Sequence, residues 1–112
     1  MTQTGRPRGN RRLLARWACQ LQARYLFKEH WHPATAMDVS RLGCRLRLGE
    51  PLARGARVKV TLECVPKTGG EPIHVEADGS VVWSRLEGLS FQCGILFSTE
   101  VEAIEQFHEI AS

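Results

Sequence analysis

Two short strings carry residue types that could do chemistry together: Arg-Arg-Leu-Leu-Ala-Arg at Arg11–Arg16 and Asp-Val-Ser-Arg-Leu-Gly at Asp38–Gly43. The first offers Arg12 and Arg16 four residues apart, with Arg11 beside them. A guanidinium plane presents paired donors that fork onto phosphate oxygens and onto the O6/N7 edge of guanine. The second string places a carboxylate and a hydroxyl, Asp38 and Ser40, two residues apart. In a strand of period two they would share a face. There the carboxylate can accept from guanine N1–H and N2–H₂, and the hydroxyl suits a phosphate or ribose oxygen. Gly43 would let the backbone turn tightly, with no Cβ in the way of a bound ring. Taken together the two strings describe a receptor for an anion that carries guanine.

The elements that must position these residues read as β-strands. Residues 16–27 alternate Trp17, Cys19, Leu21, Ala23 and Tyr25 on one face and predict a long first strand. Lys28–Pro33 reads as a turn, Ala34–Ser40 as a second strand carrying the site residues, and Cys44–Leu48 as a third. The two strings thus bracket one hairpin. Gly49–Gly55 reads as a loop, Arg57–Val65 as the clearest strand, and Pro66–Pro72, with Gly69-Gly70, as a connection. Ile73–Ser84 and Leu89–Phe97 form the last strand pair, with a bulge or bend expected at Gly79. Thr99 three residues before Glu102 fits a capping box. It opens a helix whose stripe of Val101, Ile104, Phe107 and Ile110 or Ala111 would cover the β body, a small barrel or sandwich, or dock a partner.

In order and separation, RRxxxR followed by DxSxxG resembles the signature of PilZ domains, bacterial receptors for cyclic di-GMP. Val81–Trp83 and Gly94–Phe97 resemble that family's closing strands. The resemblance covers roughly residues 11–110. It implies an all-β fold with one C-terminal helix, namely a six-stranded antiparallel β-barrel of PilZ type. Residues 1–10 would be a flexible arginine-rich tail, the barrel would run to about residue 98, and the helix would occupy about 99–111. It also implies that Arg11, Arg12, Arg16, Asp38, Ser40 and Gly43 bind cyclic di-GMP. An arginine at position 11 resembles the kind of member that holds an intercalated ligand dimer, hence two molecules per chain. The output implied is a changed surface, offered to an unidentified downstream protein. The alternative is a ligand-independent interaction protein of the same barrel, in pilus assembly or motility.

Composition narrows the remaining classes. At 112 residues the chain is one domain by size, and 43% hydrophobic and 24% charged content is ordinary for a soluble protein. No apolar run is long enough to cross a bilayer and no hydrophobic stretch follows the arginine-rich start, so a cytoplasmic protein is expected. The basic character is local. Residues 1–16 hold five arginines and no acid, leaving the remainder at −2 against +3 overall. A protein that coats DNA or RNA would spread its cations over a broad face, and this one has three lysines in all. Cys19, Cys44, Cys64 and Cys93 form no CxxC pair and fall in apolar alternation, as reduced core thiols do. His30 and His32 flank Trp31 without a third ligand, so no metal site or cofactor is expected. Without a triad order, P-loop or dinucleotide fingerprint, no enzyme machinery is visible.

Overall fold

The computed structural model describes residues 17–66 and 69–111, with side chains over 21–66 and 69–107. Six strands follow one another: β1 (Trp17–Phe27), β2 (His30–Val39), β3 (Gly43–Leu48), β4 (Arg57–Cys64), β5 (Ile73–Glu87) and β6 (Ser90–Phe97). One helix, α1 (Ile104–Ala111), follows them. The strands close antiparallel into a barrel in the order β1-β2-β3-β6-β5-β4. Closure removes the unpaired edges that an open sheet would expose.

Alternation explains most of the core. Leu21, Ala23 and Tyr25 of β1, Cys44, Leu46 and Leu48 of β3, and Val58, Val60, Leu62 and Cys64 of β4 all point inward and are buried. They meet Cys93, Ile95 and Phe97 of β6. Ile104 and Phe107 of α1 and Leu52 of the β3–β4 loop are buried in the same cluster. Phe107 is fully buried, so the apolar stripe predicted for the C-terminus does cover the barrel. The helix starts later than the capping box predicts. Thr99–Glu102 is not helical, and three i→i+3 bonds, from the N–H groups of Ile104, Glu105 and Gln106, wind the chain into α1.

Three register shifts break the alternation, one in β1 between Ala18 and Leu21 and one each in β2 and β5. In β2, Ala36 pairs with Leu46 but Asp38 pairs with Arg45, so Met37 is an extra residue. Without it Asp38 would share the face of Ala36 and carry a carboxylate into the core, at a cost no isolated charge can meet. With it, Val39 points inward, fully buried, and Asp38 takes the outward side beside Arg45, where its neighbours bury it. In β5, Val81 pairs with Ile95 and Trp83 with Gly94, so Val82 is the extra residue. Trp83 is thereby turned from the face of Val81 to the outside. The irregularity expected at Gly79 lies at Val82 instead. Gly79 serves a close approach, since a Cβ there would stand 2.6 Å from the Leu96 carbonyl oxygen.

The turns are tighter than the sequence predicts. The expected Lys28–Pro33 turn contracts to Lys28-Glu29, because Phe27 pairs with His30 and β2 runs on through Pro33. Both turn residues are left-handed, with φ of 52° and 70°. The β5–β6 hairpin extends beyond Ser84, and turns at Gly88-Leu89 with Gly88 at φ 64°.

Candidate functional site

The register of β1 against β2 assembles the site. Trp17 pairs with Val39 and Ala18 with Asp38, so the start of β1 and the end of β2 lie side by side at one end of the barrel. Arg16 is the residue before Trp17, so chain connectivity leads the arginine string to the end where Asp38–Gly43 sits. Arg11, Arg12 and Arg16 themselves lie outside the described residues.

Asp38 faces outward beside β3, and the Arg45 Nε–H donates to its Oδ2 at 2.9 Å. The Arg45 Nη1–H donates to Gln92 Oε1 of β6 at 3.2 Å. The sheet carries this row further: Arg45 stands opposite Gly94, and Gly94 opposite Trp83. A Cβ on Gly94 would lie 2.6 Å from Trp83 Cε2, so the absence of a side chain is what lets the indole lie against the sheet. The Arg85 guanidinium sits 5.0 Å from the Trp83 ring centroid, and Arg85 also pairs with Glu87 at 3.2 Å. Arg47 is outward on β3, between the inward Leu46 and Leu48. The outer face beside Asp38 therefore carries three guanidinium groups and an aromatic plane. Such a surface attracts a phosphodiester and offers a face on which a base can stack.

Arg45, Arg47, Trp83, Arg85 and Gln92 were not among the residues predicted for the site. Arg45 and Arg47 were legible, as the outward positions of the strand whose inward positions are Cys44, Leu46 and Leu48. Trp83 was not, because its orientation depends on the bulge.

The structure changes the roles of Ser40 and Gly43. β2 ends at Val39, so Ser40 is not a strand residue sharing a face with Asp38. The Ser40 N–H donates to the Gly43 carbonyl at 2.8 Å, its Oγ–H to the same oxygen at 3.5 Å, and the Leu42 N–H to Ser40 Oγ at 3.1 Å. Its hydroxyl thus closes the turn that follows Asp38, and the residue is buried. Gly43 opens β3 rather than turning the chain, and it lacks a left-handed φ. A Cβ there would run into the Ile95 carbonyl group, so the glycine permits β3 and β6 to close.

The same turn is tied to the C-terminal segment. The Arg41 guanidinium pairs with Glu100 at 3.0 Å and Glu105 at 3.5 Å, its carbonyl accepts from the Val101 N–H, and the Leu42 carbonyl accepts from the Phe97 N–H. Glu105, which the helical pattern assigns to water, is engaged here.

Elsewhere, His32 stacks on Tyr25 at 4.9 Å between centroids and lies 3.9 Å from Glu50. Among the described residues no three metal-ligating side chains come together. Burial raises the Tyr25 hydroxyl above its ordinary range, with Glu50 adding to it. Cys44, Cys64 and Cys93 are buried free thiols. Burial raises Cys64 and pushes Cys93 up to about 11, although a hydrogen bond from the Leu46 backbone opposes this at Cys93. A groove of about 510 Å³ elsewhere on the outer face, lined by Gln22, Arg24, Thr35, Thr61, Glu63 and His74, contains none of the predicted site residues. Among the described residues no helix is long and apolar enough to cross a membrane.

Comparison with known proteins agrees with the fold. No curated protein matches the chain. Among solved structures it is similar to the Bacillus subtilis inhibitor of motility (MotI/DgrA), with a TM-score of 0.68 at 13% identity. That likeness in fold spans 86% of this chain and 47% of the other, so the chain covers about half the length of the protein it matches. The PilZ domain family model matches residues 8–109, which take in the arginine string, the Asp38–Gly43 turn and all six strands. The chain belongs to the PilZ domain family.

Proposed function

We propose that this chain is a cyclic di-GMP receptor that passes the second-messenger signal to a partner protein and catalyses no reaction itself. The observation that carries the reading is the β1–β2 register, which sets the end of β2 at Asp38 beside Trp17 and Ala18, the residues that follow the arginine string in the sequence. Arg11, Arg12 and Arg16 supply phosphate and base-edge donors, and Asp38 accepts from guanine. Arg47, Arg85 and the Trp83 face extend the surface over β3 and β5. Ser40 and Gly43 act indirectly, by closing the turn and the strands that hold Asp38. The arm's like charges repel until ligand phosphates neutralise them, so binding would order the arm against the barrel and alter the surface offered to a partner. A bacterial, cytoplasmic setting suits that role.

Calorimetric titration with cyclic di-GMP, beside GTP and single-stranded RNA controls, tests the reading. Saturable heat with cyclic di-GMP alone is expected, and its absence would overturn the assignment. One observation favours a second reading, a ligand-independent interaction protein of pilus assembly or motility. Ser40 and Gly43 both have structural duties, so part of the DxSxxG string would be kept even without a ligand. A folded chain that gives no heat with cyclic di-GMP would support that reading.

A further inference from the structure

We infer that Arg45 is the positioning residue for the guanine-reading carboxylate of Asp38, and that Gln92 holds Arg45 in place; this rests on the receptor reading above. Three strands contribute one side chain each to a continuous chain of contacts, Gln92 on β6, Arg45 on β3 and Asp38 on β2. Arg45 stands opposite Gly94 and reaches diagonally to Gln92, the residue opposite Arg47. Gln92 is buried, and its amide oxygen is a fixed acceptor for the guanidinium. Arg45 is 31% exposed and points away from the core, so its contacts serve the surface rather than the packing.

The chemistry follows from the geometry. A carboxylate can accept about four hydrogen bonds. One bond from Arg45 Nε to Oδ2 at 2.9 Å orients the group without exhausting it. Base reading depends on that orientation, because guanine presents N1–H and N2–H₂ along one edge and the acceptor must meet both. The Arg45 guanidinium, reaching across from β3, sets the direction of the carboxylate, and Gln92 prevents the guanidinium from swinging toward a ligand phosphate instead.

The experiment compares cyclic di-GMP with cyclic di-IMP, which lacks the 2-amino group, in the intact chain and in Arg45→Lys and Gln92→Leu, each confirmed as folded by thermal melting. Arg45→Lys keeps the charge and loses the planar fork, while Gln92→Leu changes no charge at all. The wild type should prefer cyclic di-GMP by about tenfold or more, the factor of one charge-assisted hydrogen bond. Arg45→Lys should erase most of that preference and Gln92→Leu about half of it on a logarithmic scale, with the salt dependence of binding unchanged in both. Equal weakening toward both ligands would make Arg45 a phosphate contact and overturn the positioning role. An unchanged ratio in Arg45→Lys would also overturn it, with the receptor reading intact. A wild type that binds neither ligand removes the receptor reading and this inference together.

Discussion

Replacing Gly43 with alanine separates a structural glycine from one that only makes room for a ligand. The new Cβ would run into the Ile95 carbonyl oxygen and would lie 3.2 Å from its carbon and 3.4 Å from Leu96 Cα. All three atoms are backbone, held in the β3–β6 ladder, so the strands must part rather than a side chain swing away. Overpacking of this kind costs about 1–3 kcal/mol. Parting the strands there also strains two backbone bonds, from Ser40 N–H to the Gly43 carbonyl and from Phe97 N–H to the Leu42 carbonyl, each contributing about 1 kcal/mol. The lower chain entropy of alanine returns about 0.5–1 kcal/mol. The net expectation is a loss of about 2–4 kcal/mol, a large share of the roughly 5–15 kcal/mol that such a domain holds. Urea unfolding without ligand, followed by tryptophan fluorescence, measures it. A loss below about 1 kcal/mol would refute the close-approach argument and return Gly43 to a role felt only when ligand is present.

Four further outcomes follow from the same structure. Lys28→Asn with Glu29→Gly should stabilise the chain by about 1–2 kcal/mol, since each left-handed non-glycine residue is strained by that order; no rise in melting temperature would count against the turn's geometry. The Cys93 thiol, pushed up to about 11 by burial, lies above its unfolded value of about 8.5. Its contribution is therefore complete below about pH 8.5 and is lost as pH rises through about 11, roughly 3 kcal/mol in all. Urea midpoints for the wild type and Cys93→Ala across that range should show the flatter profile in the variant, and parallel profiles would contradict it. Arg12→Ala and Arg16→Ala should each weaken cyclic di-GMP binding by about 10- to 150-fold without unfolding the barrel, and unchanged affinity in both would remove the arm from the site. Arg11→Ala should lower the calorimetric stoichiometry from two ligands per chain toward one, because a stacked ligand pair presents charge that two arginines leave uncompensated; a wild-type value near one refutes the pair.

The sequence alone determined most of the strands, because period-two alternation is a local property, and the family by the resemblance its motif order carries. Arg57–Val65 and Cys44–Leu48 could be read inside from outside with no knowledge of their neighbours, and they fold as Arg57–Cys64 and Gly43–Leu48. The order RRxxxR, DxSxxG and closing strands is likewise written in the chain, as is the apolar stripe of Ile104 and Phe107 that seals the core. Tertiary structure decided which face the site residues occupy. One extra residue at Met37 and one at Val82 reverse the side on which Asp38 and Trp83 emerge, and a bulge exists only relative to a partner strand. The expected face shared by Asp38 and Ser40 failed because β2 ends at Val39, and the bulge expected at Gly79 lies at Val82. Gly43 and Gly94 are of the same kind, since what a missing Cβ makes room for, the Ile95 carbonyl in one case and the Trp83 indole in the other, lies 52 and 11 residues away along the chain. So too is the contact from Gln92 through Arg45 to Asp38, whose ends are 54 residues apart and meet only because closure of the barrel sets β2, β3 and β6 side by side.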